Sequence, residues 1–116
     1  MQVIAILTLH DMHIIHHDIK PSNLLIDGEG HCIVADYGGA CFTTGTDNQS
    51  YWLKDQTPIF TLRYAAPEVL LNGPAGRSYG VAADFWSLGV TLFELATGQV
   101  SPILLFFSSS PLYSVL

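Results

Sequence analysis

The stretch His16-His17-Asp18-Ile19-Lys20-Pro21-Ser22-Asn23, taken with Asp36-Tyr37-Gly38 further along, decides how this 116-residue chain is read. It gathers oxygen-bearing side chains and one lysine between apolar runs, Ile14-Ile15 before it and Leu24-Leu25-Ile26 after it. Polar groups presented by short buried strands are held rigidly, as a chemical site requires. Leu24-Leu25-Ile26 predicts a buried strand, Asp27-Gly28-Glu29-Gly30 a turn, and Cys32-Ile33-Val34-Ala35 the returning strand. Folding that hairpin brings Asn23, at the start of one strand, near Asp36, at the end of the other. An amide oxygen and a carboxylate facing one space are hard ligands suited to Mg²⁺, which fills its shell with water and phosphate oxygens. Asp18, on the loop entering the hairpin, is a candidate base or nucleophile-orienting group. Lys20 is a point charge suited to phosphate.

These residues resemble the catalytic loop and metal-binding motif of eukaryotic protein kinases. Residues 16–23 look like the H-R-D-x-K-P-x-N form, and Asp36-Tyr37-Gly38 looks like D-F-G. Ala66-Pro67-Glu68 matches A-P-E, and Asp84-Phe85-Trp86-Ser87-Leu88-Gly89 is similar to D-x-W-S-x-G. The motifs occur in the family's order. The lysine after the loop aspartate resembles the serine/threonine branch more than the tyrosine branch.

The resemblance implies a fold that is mainly α with a small β-hairpin, an α+β partial C-terminal lobe with the N-terminal lobe absent. It divides the sequence into a partial kinase domain over 1–98 and an unrelated apolar tail over 99–116. It implies ATP- and Mg²⁺-dependent transfer of a phosphoryl group to a hydroxyl of a protein substrate. Asp18 would orient or deprotonate that hydroxyl and Lys20 would steady the γ-phosphate. Lys20, Asn23 and Asp36 would meet the nucleotide, with Asn23 and Asp36 holding Mg²⁺. Thr61, in the substrate-facing loop, would bond Asp18 and Lys20. His16, Glu68, Asp84 and Trp86 would be structural, with the Asp84 carboxylate accepting backbone N–H groups around His16 and His17. The glycine-rich phosphate loop and the strand lysine with its glutamate partner are not in this sequence. This stretch alone is therefore expected to be inactive, since the reaction depends on positioning and electrostatics. The alternatives are a non-catalytic kinase-like binding module, docking a full-length kinase or the missing lobe, or a truncated product.

Departures from the family pattern carry their own expectations. His17 stands where arginine is usual; it lacks the bidentate fork and is mostly neutral at pH 7, so activation should depend weakly on loop phosphorylation. Thr44, Thr46, Ser50, Tyr51 and Thr57 could accept phosphate on a polar, mobile segment that begins with a flexible Gly38-Gly39-Ala40. Tyr37 replaces phenylalanine, and its hydroxyl needs a partner. Glu68 has no later arginine to pair with and is expected unpaired or solvated.

Around the motifs, residues 3–10 read as the end of a helix leading to the loop. Pro67 to Leu71 opens a short helix, with proline in its first turn. Val81 to Thr97 is apolar on all faces and should be a buried helix stopped by Gly98. Five histidines, His10, His13, His16, His17 and His31, match no common structural zinc spacing. His16 is expected to be buried and bonded to backbone, the others solvated.

Composition narrows the rest. Apolar residues make up 49 % and charged residues 12 %, low in charge for a free domain, so some apolar faces await a partner. A net charge of −6 excludes a basic footprint for nucleic acid. Cys32 and Cys41, in a strand and a loop, have no framework spacing, which fits a reducing, intracellular compartment, cytoplasmic or nuclear. The apolar start has no basic flank or cleavage site, and no run is a convincing membrane span.

Overall fold

Among the described residues, three helices and three two-stranded antiparallel ribbons carry the motif residues in a small α+β arrangement. In this computed structural model residues 2–43, 49–50, 59–72 and 79–99 are described. In chain order these are α1 (Gln2–Asp11), β1 (Ile14–Ile15), a 3₁₀ turn (Pro21–Asn23), β2 (Leu24–Ile26), β3 (Cys32–Val34), β4 (Cys41–Phe42) and β5 (Gln49–Ser50). A second 3₁₀ turn (Leu62–Tyr64), α2 (Pro67–Asn72), β6 (Tyr79–Gly80) and α3 (Ala82–Thr97) follow.

The central hairpin pairs β2 with β3 in the register Leu24↔Val34, Leu25↔Ile33 and Ile26↔Cys32. Its turn is built by Asp27, whose carboxylate accepts the Glu29 and His31 amides while Gly30 takes a left-handed φ of 84°. Entry to the loop is pinned by β1 pairing with β4, extended by the Thr43 amide donating to the His13 carbonyl at 2.7 Å. The β5–β6 ribbon pairs Gln49 with Gly80 and Ser50 with Tyr79.

Two apolar clusters support this frame. Ile6 of α1, Ile19 of the loop, Val34 of β3 and Leu88 of α3 pack together, with Ala5 and Leu24 at their edge. The helix, the hairpin and the long helix thus meet beneath the loop. The second cluster joins Ala65, Ala66 and Val69 around α2 to Tyr79 and Ala83, with Phe60, Leu70 and Trp86 packed against it. Gly98 ends α3 at φ 68°, its amide donating to the Glu94 carbonyl.

Several expectations are corrected. β2 is not a buried strand: Leu24 faces the core, whereas Leu25 and Ile26 are 51 % and 67 % exposed. Period-2 alternation turns Leu25 away from the core; Ile26 shares the face of Leu24 but stands at the turn end of the strand and is not packed against the Ile6, Ile19, Val34 and Leu88 cluster. Nor is α3 buried all round. Its inner stripe is Ala83, Asp84, Ser87, Leu88, Val90 and Thr91, while Phe85, Leu92, Phe93 and Leu95 are exposed.

Cys41 lies in a strand rather than a loop, because β1 captures it. Gly38-Gly39-Ala40 forms a defined turn, closed by the Ala40 amide on the Tyr37 carbonyl at 3.0 Å. A Cβ at Gly39 would collide with the Ile59 carbonyl, so a glycine is required there. His10 and His17 are buried, not solvated, for each has a polar partner inside. The phosphate-acceptor side chains and the tail beyond Gln99 lie outside the described residues. Among the described residues no helix is long and apolar enough to cross a membrane.

Candidate active site

The loop between β1 and β2 is held from below by one carboxylate. Asp84, fully buried in the first turn of α3, accepts the His17 amide on one oxygen and the His16 amide on the other, both at 2.9 Å. His10 of α1 reaches the same carboxylate at 2.9 Å through Nε2. A buried carboxylate is tolerable only when donors replace its water, and the helix N-terminus adds a favourable dipole. The Asp84 anchor also opposes backbone strain: His17 sits at φ 68°, a conformation that costs a non-glycine residue roughly 1–2 kcal/mol.

His16 completes the loop's underside. Its Nδ1 accepts the Asp18 amide at 3.3 Å, which leaves Nε2 to donate to the Ala35 carbonyl at 3.1 Å. The histidine thereby ties the residue before Asp36 to the residue at Asp18. Tyr37 rests edge-on against the His16 ring, and its hydroxyl donates to the Val34 carbonyl at 3.2 Å. The ring is half exposed, so tyrosine is accommodated without burying its hydroxyl.

Above this base Asp18, Lys20 and Thr61 close a triangle. Lys20 Nζ donates to Asp18 Oδ2 at 2.8 Å and to Thr61 Oγ1 at 2.6 Å, and Thr61 Oγ1 donates to Asp18 Oδ1 at 2.6 Å. The Thr61 amide adds a bond to Asp18 Oδ1 at 3.0 Å. Asn23 donates through Nδ2 to the Asp18 carbonyl at 2.8 Å and to Oδ2 at 3.1 Å. Burial pushes the Asp18 carboxyl up, but the bonds from Lys20 and Thr61, the lysine's charge and Asn23 outweigh it and hold the group below the usual carboxylate range. A carboxylate fixed by three side chains is held in one orientation.

With both Nδ2 hydrogens directed at Asp18, the oxygen is the Asn23 atom left to meet a cation. The Asn23 carbonyl also accepts the Ala35 amide at 2.9 Å, which sets Asp36 one residue beyond a fixed backbone bond. Asp36 is exposed, lies at φ 62° and accepts the Gly38 amide on Oδ1 at 3.2 Å. Aspartate tolerates that conformation because its side chain bonds its own backbone further on. Among the described residues no group of three or more His, Cys, Asp or Glu side chains could hold a metal. An Asn–Asp pair of hard oxygens fits an ion that takes few protein ligands, as Mg²⁺ does.

The family model for the protein kinase domain matches residues 2–103. The chain belongs to the protein kinase family. The kinase chain is 35 % identical over 97 residues to a probable serine/threonine-protein kinase of Dictyostelium discoideum, covering 84 % of this chain and 19 % of that one. It is 42 % identical over 105 residues to a putative ribosomal protein S6 kinase alpha-2 of Caenorhabditis elegans, covering 84 % and 14 %. It is 44 % identical over 97 residues to the human ribosomal protein S6 kinase-related protein, covering 84 % and 21 %. The chain thus spans about a fifth or less of these relatives. These relatives bear the names of serine/threonine and ribosomal protein S6 kinases.

In this kinase chain the remaining sequence-derived residues lie away from the triangle. Glu68 is half-buried in the first turn of α2 and, among the described residues, has no ion pair. Trp86 packs against the cluster of Ala65, Ala66, Val69, Tyr79 and Ala83.

Four contributors escaped the sequence reading. His10 ligates Asp84, and its only signal was an inward position on α1 beside Ile6 and Leu9. Ser87 donates to the Tyr64 carbonyl at 2.8 Å, fixing the loop after Thr61 to α3. Tyr64 itself donates to Glu94 Oε2 at 2.5 Å; burial first, then Glu94, pushes its hydroxyl up to about 12. Tyr79 bonds His17.

Proposed function

We propose that this chain carries the catalytic-loop and metal-binding portion of a serine/threonine protein kinase, corresponding to part of the C-terminal lobe over 1–98. The reading rests on the Asp18–Lys20–Thr61 triangle bonded to Asn23, with Asp36 following the Ala35 amide that the Asn23 backbone carbonyl accepts. The substrate is a protein bearing serine or threonine hydroxyls, and the phosphoryl donor is ATP with Mg²⁺.

Asn23 and Asp36 are the residues that hold Mg²⁺, which when bound neutralises phosphate charge and aligns the transferred group. Asp18 accepts a hydrogen bond from the substrate hydroxyl and directs its lone pair. Lys20, Thr61 and Asn23 fix the carboxylate so that it orients that hydroxyl or takes its proton. Lys20 offers an ammonium to the phosphate while remaining tethered to Asp18 and Thr61. Thr61 lies in the loop facing substrate, so its two bonds to Asp18 set the spacing between the acid and the incoming hydroxyl. This chain alone is expected to transfer phosphate very slowly, because phosphoryl transfer depends on positioning groups on every side of the phosphates. An intracellular location, cytoplasmic or nuclear, follows from the same reading.

A second reading, a non-catalytic module that docks a full-length kinase or a complementary lobe, is favoured by the apolar side chains exposed on one ribbon and two helices. Leu25, Ile26 and Ile33 are exposed on the hairpin, Ile4 and Leu7 on α1, and Leu92 and Leu95 on α3.

Thermal unfolding of the purified chain separates the two. Mg²⁺ with ATP should raise the midpoint, by an amount that grows with ligand concentration. ATP with a chelator should not, and Asp36→Ala should abolish the rise. Equal stabilisation with and without Mg²⁺, or none at all, would leave the binding-module reading in place of the catalytic one.

A further inference from the structure

His17 and Tyr79 are both buried, on separate elements, and the kinase motifs assign Tyr79 nothing. The Gly39 carbonyl lies 2.8 Å from His17 Nδ1. A carbonyl only accepts, so Nδ1 carries the proton. In a neutral ring Nε2 is then an acceptor, and the Tyr79 hydroxyl donates to it at 2.8 Å. Burial, the largest influence, lowers the proton affinity of His17. The Gly39 carbonyl and the Asp84 carboxylate pull the other way, and His16 adds to the lowering. The ring is thus suited to stay neutral, and the donors run in one direction, from Tyr79 through His17 to Gly39.

Both ends of that line are fixed. The Tyr79 backbone is in β6, and its ring packs with Ala65, Ala66, Val69 and Ala83. Gly39 follows Asp36-Tyr37-Gly38 directly and lies against the Ile59 carbonyl, and the next amide, that of Ala40, closes the turn on Tyr37. We infer that Tyr79 is a positioning residue, acting through a neutral His17 to fix the Gly39 carbonyl and with it the turn that carries Asp36. An arginine at position 17 has no acceptor and could not take the Tyr79 proton. The functional meaning rests on the proposed role of Asp36; the relay does not.

The test uses the purified chain and Tyr79→Phe, which keeps the ring and removes the hydroxyl. Ring ¹⁵N shifts of His17 report the tautomer, and amide hydrogen exchange reports each turn separately. The parent should show a neutral Nδ1–H ring. In Tyr79→Phe, exchange at Ala40 should rise roughly five-fold, the effect of one net hydrogen bond, with Leu88 and Thr91 in α3 unchanged. An Nε2–H ring in the parent, an unaltered Ala40 rate, or an equal rise throughout α3 would each overturn the inference. Mg²⁺–ATP stabilisation of the parent is scored separately: its failure removes the kinase reading of Asp36 while the exchange result still judges the relay.

Discussion

Replacing Asp84 with alanine removes the carboxylate that holds the loop from beneath. The carboxylate accepts the His16 and His17 amides and meets His10, each at 2.9 Å, with no exposure to solvent. Each bond to a charged acceptor is worth roughly 1.5–3 kcal/mol net. Alanine leaves two backbone donors and a histidine buried without partners, offset in part by relief of a desolvated charge. The net loss should be roughly 3–5 kcal/mol, the range for removing one member of a buried charged set. Against a typical domain stability of roughly 5–15 kcal/mol, the variant should remain folded but marginal. At a urea dependence of about 2 kcal/mol per molar, the unfolding midpoint should fall by about 2 M. Asp84→Asn keeps one acceptor and turns a donor toward the other amide, so it should lie between parent and alanine. Hydrogen exchange at the His16 and His17 amides should accelerate in both. A midpoint for Asp84→Ala within about 0.3 M of the parent would refute the anchoring argument.

Thr61→Val removes the hydroxyl that bridges Lys20 and Asp18 but leaves the Thr61 amide bond in place. The Asp18 carboxyl should titrate at a higher pH than in the parent, read by carboxyl ¹³C shifts, with a stability cost of about 1 kcal/mol. Gly39→Ala forces a methyl group toward the Ile59 carbonyl; a destabilisation of roughly 1–3 kcal/mol in urea is expected. For His17 the folded proton affinity lies below the ordinary value of 6.5, so the unfolded chain takes up the proton first. Its contribution is therefore present above that pH and lost as pH falls through it toward the folded value. The parent should lose more stability than His17→Gln between about pH 7.5 and about pH 5.5.

What the sequence made legible was local or carried by motif. The β2–β3 hairpin follows from a turn whose aspartate and glycines set it, and Lys20 and Thr61 were readable as neighbours of Asp18. Asp84 stood out as a carboxylate in the first turn of an apolar helix. The contacts that escaped join residues far apart and of unremarkable type. His10 meets Asp84 across 74 positions and Tyr79 meets His17 across 62, with no spacing rule linking either pair. Gly39 looked like flexibility, whereas its reason is a close approach by the backbone at Ile59. The burial of β2 and α3 was overestimated because apolar content states that a face can be covered, not that it is.

The central claim is that the Asn23 oxygen and the Asp36 carboxylate share one cation. Substituting Mn²⁺ for Mg²⁺ in the presence of ATP, and reading paramagnetic broadening across the amide spectrum of the chain, tests it most directly. Broadening should centre on the Asn23 side chain and the Asp36 and Gly38 amides, and disappear in Asn23→Ala and in Asp36→Ala. Broadening centred instead on the Asp27–Glu29 turn, or unchanged by either substitution, would contradict the account.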